Sequence, residues 1–212
     1  MTTNNTSLKI AITGTTSGIG KATKEMLEAR GDTVVSINRP EWDLHDMEKL
    51  QEIDLSGIDV LISNAGHDKG RYSFLESPYN AWMDVMKCNQ LSPMLLTQIF
   101  VKQNPEGTVI YLTSHHDAGS IHGGAYHAAK SGLRYWIEMM RSETKKFRFV
   151  DVSIGRVRTK IRQNWGVPLT HEEQNYLGSK GDVIEPEDMA RQVLHVVDNE
   201  HVHEIYVKHL NR

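Results

Sequence analysis

Short apolar runs alternate with longer amphipathic stretches along most of the chain. Residues 8–13 (LKIAIT), 33–38 (TVVSIN), 58–62 (IDVLI), 107–113 (GTVIYLT), 149–154 (FVDVSI) and 204–207 (EIYV) are rich in Val, Ile and Leu. Runs of this length and composition predict buried strands. Between them, apolar positions recur at helical spacing. The stretch 21–30 offers Ala22, Met26, Leu27 and Ala29 to a sheet and ends at Gly31, and 46–53 reads as a short helix. The stretch 80–103 carries Trp82, Val85, Met86, Leu95, Leu96 and Ile99, with a bend expected near Pro93; helices are also expected over 126–146 and over 186–197, which Pro186 opens in its first turn. Strands alternating with helices predict an α/β fold: a single domain with a doubly wound, mainly parallel sheet and helices on both faces. Residues 1–7 read as a flexible polar lead-in and 8–212 as the domain. Within it, 67–80 reads as a loop and 160–183 as a substrate lid or loop. The segment between the second strand and Asp43-Leu44 is too short for a full crossover helix, so the fold is expected to be abbreviated there.

The first strand runs directly into Gly14-Thr15-Thr16-Ser17-Gly18-Ile19-Gly20, and a helix follows. Strand, glycine loop and helix form the setting of a dinucleotide-binding turn in a Rossmann-type domain. Glycines let the backbone turn tightly and approach a pyrophosphate, whose charge the helix N-terminus meets. The spacing is G-x-x-x-G-x-G rather than G-x-G-x-x-G. Gly14, Thr16, Ser17, Gly18, Ile19 and Gly20 are therefore candidate cofactor contacts, the alternative being a Gly/Ser/Thr-rich turn without ligand. The second strand ends at Asn38-Arg39. In such a unit this end faces the adenosine ribose, where a carboxylate suits NAD and a cation without a carboxylate suits the 2′-phosphate of NADP. Asn38 and Arg39 therefore point to NADP(H), against the alternative of a solvated loop arginine.

Tyr126 and Lys130 stand four residues apart in a predicted helix and so share one face. A phenol has an ordinary pKa of about 10, and an ammonium beside it favours the phenolate. The pair is expected to bring the phenol towards the working range, as a proton donor or acceptor for a carbonyl/alcohol interconversion. Tyr-x-x-x-Lys arises by chance on many exposed helix faces. The dinucleotide turn upstream and the Ser114 hydroxyl at the end of the fourth strand single this one out.

The chain has 212 residues, a net charge of −3 and a pI near 6.4. One domain with a substantial core fits that length, and the charge gives no electrostatic case for nucleic acid. Cys88 is the single cysteine, so no internal disulfide forms, and a reducing cytoplasm fits. The polar start, MTTNNTSLK, is unlike a signal peptide, and no run of 18 apolar residues suggests a membrane span.

Thr13-Gly14-x-x-x-Gly18-Ile19-Gly20, Asn64-Ala65-Gly66, Asn89, Ser114 and Tyr126-x-x-x-Lys130 follow one another across nearly the whole chain. In this set the chain resembles the short-chain dehydrogenase/reductase family. The resemblance implies an NADP-dependent oxidoreductase acting on a carbonyl or secondary alcohol. Tyr126 would be the general acid in reduction and the base in oxidation. Lys130 would hold the nicotinamide ribose hydroxyls and lower the Tyr126 pKa. Ser114 would hydrogen-bond the substrate oxygen, and Asn89 would hold a helix bulge and a water in the proton relay. Asp43 and Leu44 would flank the adenine, Asn64 and Ala65 would line the ribose, with Gly66 among the cofactor contacts, and Val157 and Thr159 would meet the carboxamide. The expected partners are a small-molecule substrate and, as is common in the family, further copies of the chain in a homodimer or homotetramer. The chain departs from the family's pattern at Ile154-Gly155, where Pro-Gly is usual, and at Ser63, where Asn is usual.

Two other functions use the same residues. One is a sugar-nucleotide epimerase or dehydratase, which the short length and the lack of a sizeable C-terminal substrate domain oppose. The other is a nucleotide-sensing protein without turnover, which the full set Asn89, Ser114, Tyr126 and Lys130 opposes. His115, His116, His122 and His127 crowd the region between Ser114 and the catalytic pair. Contact of one with the substrate is the stronger reading and metal ligation the weaker, so no metal site is expected. Cys88 is expected to pack rather than react. Arg156, Arg158, Lys160 and Arg162 read first as a solvated loop and second as a site for an anionic substrate or cofactor phosphate.

Overall fold

Six parallel strands form one sheet in the order β2-β1-β3-β4-β5-β6: β1 Lys9–Thr13, β2 Thr33–Ile37, β3 Val60–Ser63, β4 Gly107–Ser114, β5 Phe147–Ile154 and β6 Glu204–Val207. The structure, a computed structural model, describes residues 7–68, 75–114, 124–155, 157–159, 161 and 183–207. All but one residue of the lead-in and most of the 160–183 lid lie outside the described residues.

The strands read as nearly continuous apolar runs because both faces of the sheet are covered. Ala11, Leu61, Val109, Tyr111 and Phe149 face one core, where Leu96 and Phe100 of α3 (Ser92–Gln103) meet Leu133 and Ile137 of α4 (Gly124–Glu143). Ile10, Ile12, Ile62, Ile110, Val150 and Val152 face the other, beneath Ile19 and Leu27 of α1 (Gly18–Arg30) and Met189, Val193 and Val196 of the last helix, α5 (Pro186–Asp198). Gly31, at φ 103°, stops α1 where the sequence predicts.

Two expectations are corrected. The stretch 80–103 is not one bent helix: α2 (Tyr79–Met86) and α3 flank a π-helical turn, Lys87–Leu91. Pro93 opens α3 instead of bending a helix. It has no N–H for the carbonyl four residues back, that of Asn89, and a wider turn takes up the mismatch at that point. The stretch 46–53 contains only a 3₁₀ turn, Lys49–Glu52, and β2 is one edge of the sheet. Side chains build this short connection: Asp43 Oδ1 accepts from the His45 amide at 3.0 Å, and Asp46 Oδ1 from the Lys49 amide at 2.9 Å.

Three cations on one side of α4 fix that helix to the sheet. Lys130 Nζ donates to the Leu112 carbonyl at 2.8 Å, Arg134 Nε to the buried Asp151 at 2.8 Å, and Arg141 Nε to the Phe149 carbonyl at 3.0 Å. Among the described residues no helix is long and apolar enough to cross a membrane.

Buried Asn104 closes the junction between α3 and the turn before β3. Its Oδ1 accepts from the Gly57 amide at 2.9 Å, and its Nδ2 donates to the Leu55 and Phe100 carbonyls at 2.9 and 3.0 Å. Asn104→Ala leaves these groups without their partner and is expected to lower the unfolding free energy by about 2–3 kcal/mol in urea titrations. A loss within about 0.5 kcal/mol, the range of ordinary surface changes, would contradict this account.

Candidate active site

From β1 the chain steps to β2 on one side, and β3 lies on the other, so the carboxyl ends of β1 and β3 open where the strand order reverses. A cleft of about 590 Å³ lies there. Two side chains tie its floor together. Thr13 Oγ1 accepts from the Asn64 and Ala65 amides at 3.0 and 2.9 Å, and Asn64 Nδ2 donates to the Thr13 and Gly14 carbonyls at 2.9 and 3.0 Å. Gly14 turns the chain at φ 74°. Gly14, Thr16, Ser17, Gly18 and Ile19 line the cleft, whereas Gly20 stands behind them. A Cβ on Gly20 would lie 2.2 Å from the Gly14 carbonyl oxygen and 2.3 Å from Asn64 Nδ2, so Gly20 makes room for the loop. The first turn of α1 carries no acidic residue, which leaves the positive end of the helix facing the cleft.

At the β2 end, Asn38 and Arg39 line the cleft with Trp42, Asp43, Leu44 and His45. The Asn38 amide is committed within the protein: its Oδ1 accepts from the Thr15 amide at 3.0 Å and its Nδ2 donates to Thr15 Oγ1 at 2.7 Å. Thr15 Oγ1 in turn donates to Ser36 Oγ at 2.9 Å. Asn38 thus tethers the glycine loop to β2, and exposed Arg39 is the cation this strand end presents. Among the described residues no carboxylate lies within ion-pair distance of Arg39.

At the other end stand Ser114, closing β4, and Tyr126 and Lys130 in the first two turns of α4. The Ser114 hydroxyl hydrogen-bonds the Tyr126 phenol. The expectation that Lys130 brings this phenol towards neutral pH is corrected here. Burial and then the Asp68 carboxylate hold the Tyr126 phenol above its ordinary range, and the Ser114 bond offsets them only in part. The Lys130 ammonium lies 5.9 Å from the Tyr126 ring centroid and is directed to the Leu112 carbonyl. Its own pKa is lowered to about 8 by burial.

Asn89 does not line the cleft. It is fully buried on the π-helical turn, with Oδ1 accepting from the His67 amide at 3.1 Å and Nδ2 donating to the His67 and Val85 carbonyls at 2.6 and 2.8 Å. It therefore holds the chain that leaves Asn64-Ala65-Gly66, all three of which line the cleft. Val157 and Thr159 line it too, Thr159 within 3.1 Å of where a Gly18 Cβ would stand, as do Ile154 and Gly155.

Trp42, His45, His67, Asp68 and Ile161 line the cleft without having been singled out in the sequence. Asp68 carried the one readable signal, an acid two residues beyond the Asn64-Ala65-Gly66 turn. Cys88 is buried against the cleft, and burial pushes its thiol up to about 11, which makes it unreactive. His127 lines the cleft, while His115, His116 and His122 lie outside the described residues. Arg158 pairs with Glu185 at 2.9 Å; Arg156, Lys160 and Arg162 lie outside the described residues.

A family model described as short chain dehydrogenase matches residues 46–168. The dehydrogenase/reductase SDR family member 7B of Xenopus tropicalis is 25% identical over 231 residues, covering 89% of this chain and 73% of its own. A benzil reductase ((S)-benzoin forming) of Bacillus cereus is 25% identical over 235 residues, covering 90% of this chain and 94% of its own. An alcohol dehydrogenase from the archaeon Thermococcus sibiricus, solved in complex with 5-hydroxy-NADP, shares the fold with a TM-score of 0.75 at 19% identity, over 97% of this chain and 98% of that one.

Burial of Lys130 makes stability depend on pH. In the unfolded chain this lysine keeps its ordinary pKa of 10.5, whereas in the native protein it titrates at about 8. Below pH 8 both states are protonated, and folding carries the full penalty of burying the ammonium. Between pH 8 and 10.5 the unfolded chain holds a proton that the native protein has released, so stability rises with pH. The parent is therefore expected to gain on the order of 1–3 kcal/mol relative to Lys130→Met across that window in urea titrations. A difference between the two proteins that stays flat with pH would exclude the shift.

Proposed function

The chain belongs to the short-chain dehydrogenase/reductase family, and from that premise we propose that it is an NADP(H)-preferring oxidoreductase that interconverts a carbonyl and a secondary alcohol, with Tyr126 as the acid/base. The observation that carries this reading is the Ser114–Tyr126 hydrogen bond in the same cleft as the Gly14–Gly20 loop, with Lys130 one turn beyond. The benzil reductase and the relative complexed with 5-hydroxy-NADP support the reaction class and the cofactor.

The residues present suit such a dinucleotide. The loop against Gly20 and the acid-free start of α1 suit a pyrophosphate, Arg39 a 2′-phosphate, Asp43 and Leu44 the adenine, Asn64, Ala65 and Gly66 the ribose, and Val157 and Thr159 the carboxamide. The nicotinamide supplies or accepts the hydride when bound. Ser114 holds the substrate oxygen by its hydroxyl. Tyr126 donates its phenolic proton to that oxygen in reduction and takes one back in oxidation. Because burial and Asp68 keep the phenol protonated, the protein at neutral pH stands in the form that reduction uses. Lys130 serves the ribose hydroxyls as a cation already held in the cleft, and Asn89 acts behind it by fixing the backbone at His67. A second copy of the chain is read as covering Tyr135 (73% exposed) and Met139 of α4, with Tyr79 and Trp82 of α2. Light scattering giving the 24.1 kDa of one chain would refute that part.

Tyr126→Phe removes only the proton donor, so ketone reduction is expected to fall by about 100-fold or more while NADPH still quenches or shifts the protein fluorescence. Near-parental turnover by this variant would exclude Tyr126 as the acid. Arg39→Ala is expected to reduce the preference for NADPH over NADH, read as the ratio of kcat/KM values, by about 10- to 100-fold. Equal efficiency with both cofactors in the parent would refute the NADP(H) assignment.

A further inference from the structure

Asp151 is a buried carboxylate, 3% exposed, that the hydride chemistry does not use. It stands on β5 and bridges the two elements that carry Ser114, Tyr126 and Lys130. Its Oδ1 accepts from Thr113 Oγ1, and its Oδ2 accepts from Arg134 Nε at 2.8 Å. Thr113 lies on β4 between Leu112, whose carbonyl takes the Lys130 ammonium, and Ser114, whose hydroxyl meets the Tyr126 phenol. Arg134 lies on α4 one turn beyond Lys130, so the two cations share a face. The same Arg134 fork reaches β6, where Nη2 donates to Glu204 at 3.2 Å and to the Tyr206 hydroxyl at 2.6 Å. Asp151 is thus held from both sides, directly behind the strand end and the helix turn that form the carbonyl site.

A buried ammonium calls for a counter-charge, because removal from water favours its neutral form. The Leu112 carbonyl gives Lys130 a hydrogen bond but no charge. α4 packs against α2, the π-helical turn, β4 and β5. The ionisable groups on these elements are Tyr79 and Asp84, Lys87 and Cys88, Tyr111, and Arg148 and Asp151. Burial lowers the Lys130 side chain, and Cys88 and then Asp151 act against it. Burial pushes the Cys88 thiol up to about 11, so at neutral pH it is uncharged and lends nothing. Asp151 is left as the opposing charge. Burial raises its own carboxyl, and the Thr113 hydroxyl and then Arg134 offset this, Arg134 with a charge that it keeps throughout the working range. On α4 itself, Tyr126 stays protonated and Arg134 is turned to Asp151 and Glu204.

We propose that Asp151 is a positioning residue of the active site, the counter-charge behind Lys130 that keeps its side chain an ammonium fit to serve the ribose hydroxyls at neutral pH. The inference rests on the reading of Lys130 as the ribose-binding cation. Asp151→Asn tests the charge alone. The amide oxygen still accepts from Arg134, and the amide nitrogen donates to Thr113 Oγ1, which accepts in its turn.

The first measurement needs no substrate. In protein carrying ¹³C at lysine Cε, the Lys130 resonance is identified by its loss in Lys130→Met, and the parent is expected to titrate at about 8. In Asp151→Asn the inflection is expected to fall by about half a pH unit or more, since the charge that favours the ammonium is gone. Asp151→Ser serves the same purpose if the Asn variant does not fold. The second measurement is the pH profile of kcat/KM for benzil, the ketone suggested by the Bacillus cereus relative, with NADPH. Its alkaline limb should move to lower pH by the same interval in the variant, with efficiency at pH 6 within about twofold of the parent's. An ion pair that only stabilises the fold would lower the melting temperature and leave both the inflection and the limb in place. That result, or a parent in which Lys130 titrates at its ordinary value, overturns the assignment of Asp151. A parent that reduces no ketone overturns the oxidoreductase reading instead, and the lysine titration then decides Asp151 alone.

Discussion

The ends of β1 and β3 are held together by Thr13 and Asn64, and every other part of the cleft takes its place from that junction. Each residue uses both side-chain and main-chain groups, so neither strand end can shift without breaking bonds in the other. The glycine loop begins at one of these ends, and the segment through His67 and Asp68 begins at the other. Gly20 then brings α1 to within contact of the same junction, which is why the helix terminus and the loop amides converge on one point. A dinucleotide site requires such convergence, because the positive end of a helix acts only over about its first turn.

The opposite wall is built on different physics. Where amides and hydroxyls knit the cofactor end, α4 is seated by cations that reach strand carbonyls and a buried carboxylate. Removing Lys130 from water depresses its pKa, and burying Tyr126 raises that of the phenol, so the two groups are driven towards their neutral forms. Both are partly desolvated before any ligand arrives. The cleft carries that penalty within the stability of the fold, as preorganised sites do.

The strands were legible because sheets covered on both faces leave uninterrupted apolar runs, and the loop was legible because tight turns against a helix demand glycine. Tyr126 and Lys130 share a face as helical spacing requires, yet spacing does not say where the ammonium points, and the Leu112 carbonyl decides that. Pro93 announced an irregularity, but its form, a widened turn on Asn89, depends on what Asn89 bonds in three dimensions. Asn38 read as a cofactor residue because it ends β2. Its commitment to Thr15 follows from the pairing of β1 with β2, which sets Thr13 opposite Ile37 and so brings the two following loops side by side. Asp68 was visible only as one acid in a polar segment, and its burial beside the His67 that Asn89 holds is a matter of three dimensions.

The tether between Asn38 and Thr15 also bears on what a substitution at position 38 would do. In dinucleotide folds an acid at the end of the second strand accepts hydrogen bonds from the ribose 2′-hydroxyl of NAD. Here an Asp at position 38 could still accept from the Thr15 amide, but it has no donor for Thr15 Oγ1, and the hydroxyl would have to turn its proton away from Ser36 to meet the new carboxylate. The position from which such an acid would reach the ribose is also the one that holds the loop in place. An acid introduced at position 38 would therefore act on the glycine loop as well as on a bound ribose, and Thr15 and Ser36 are the positions where a second change would restore the loop's hydrogen bonds.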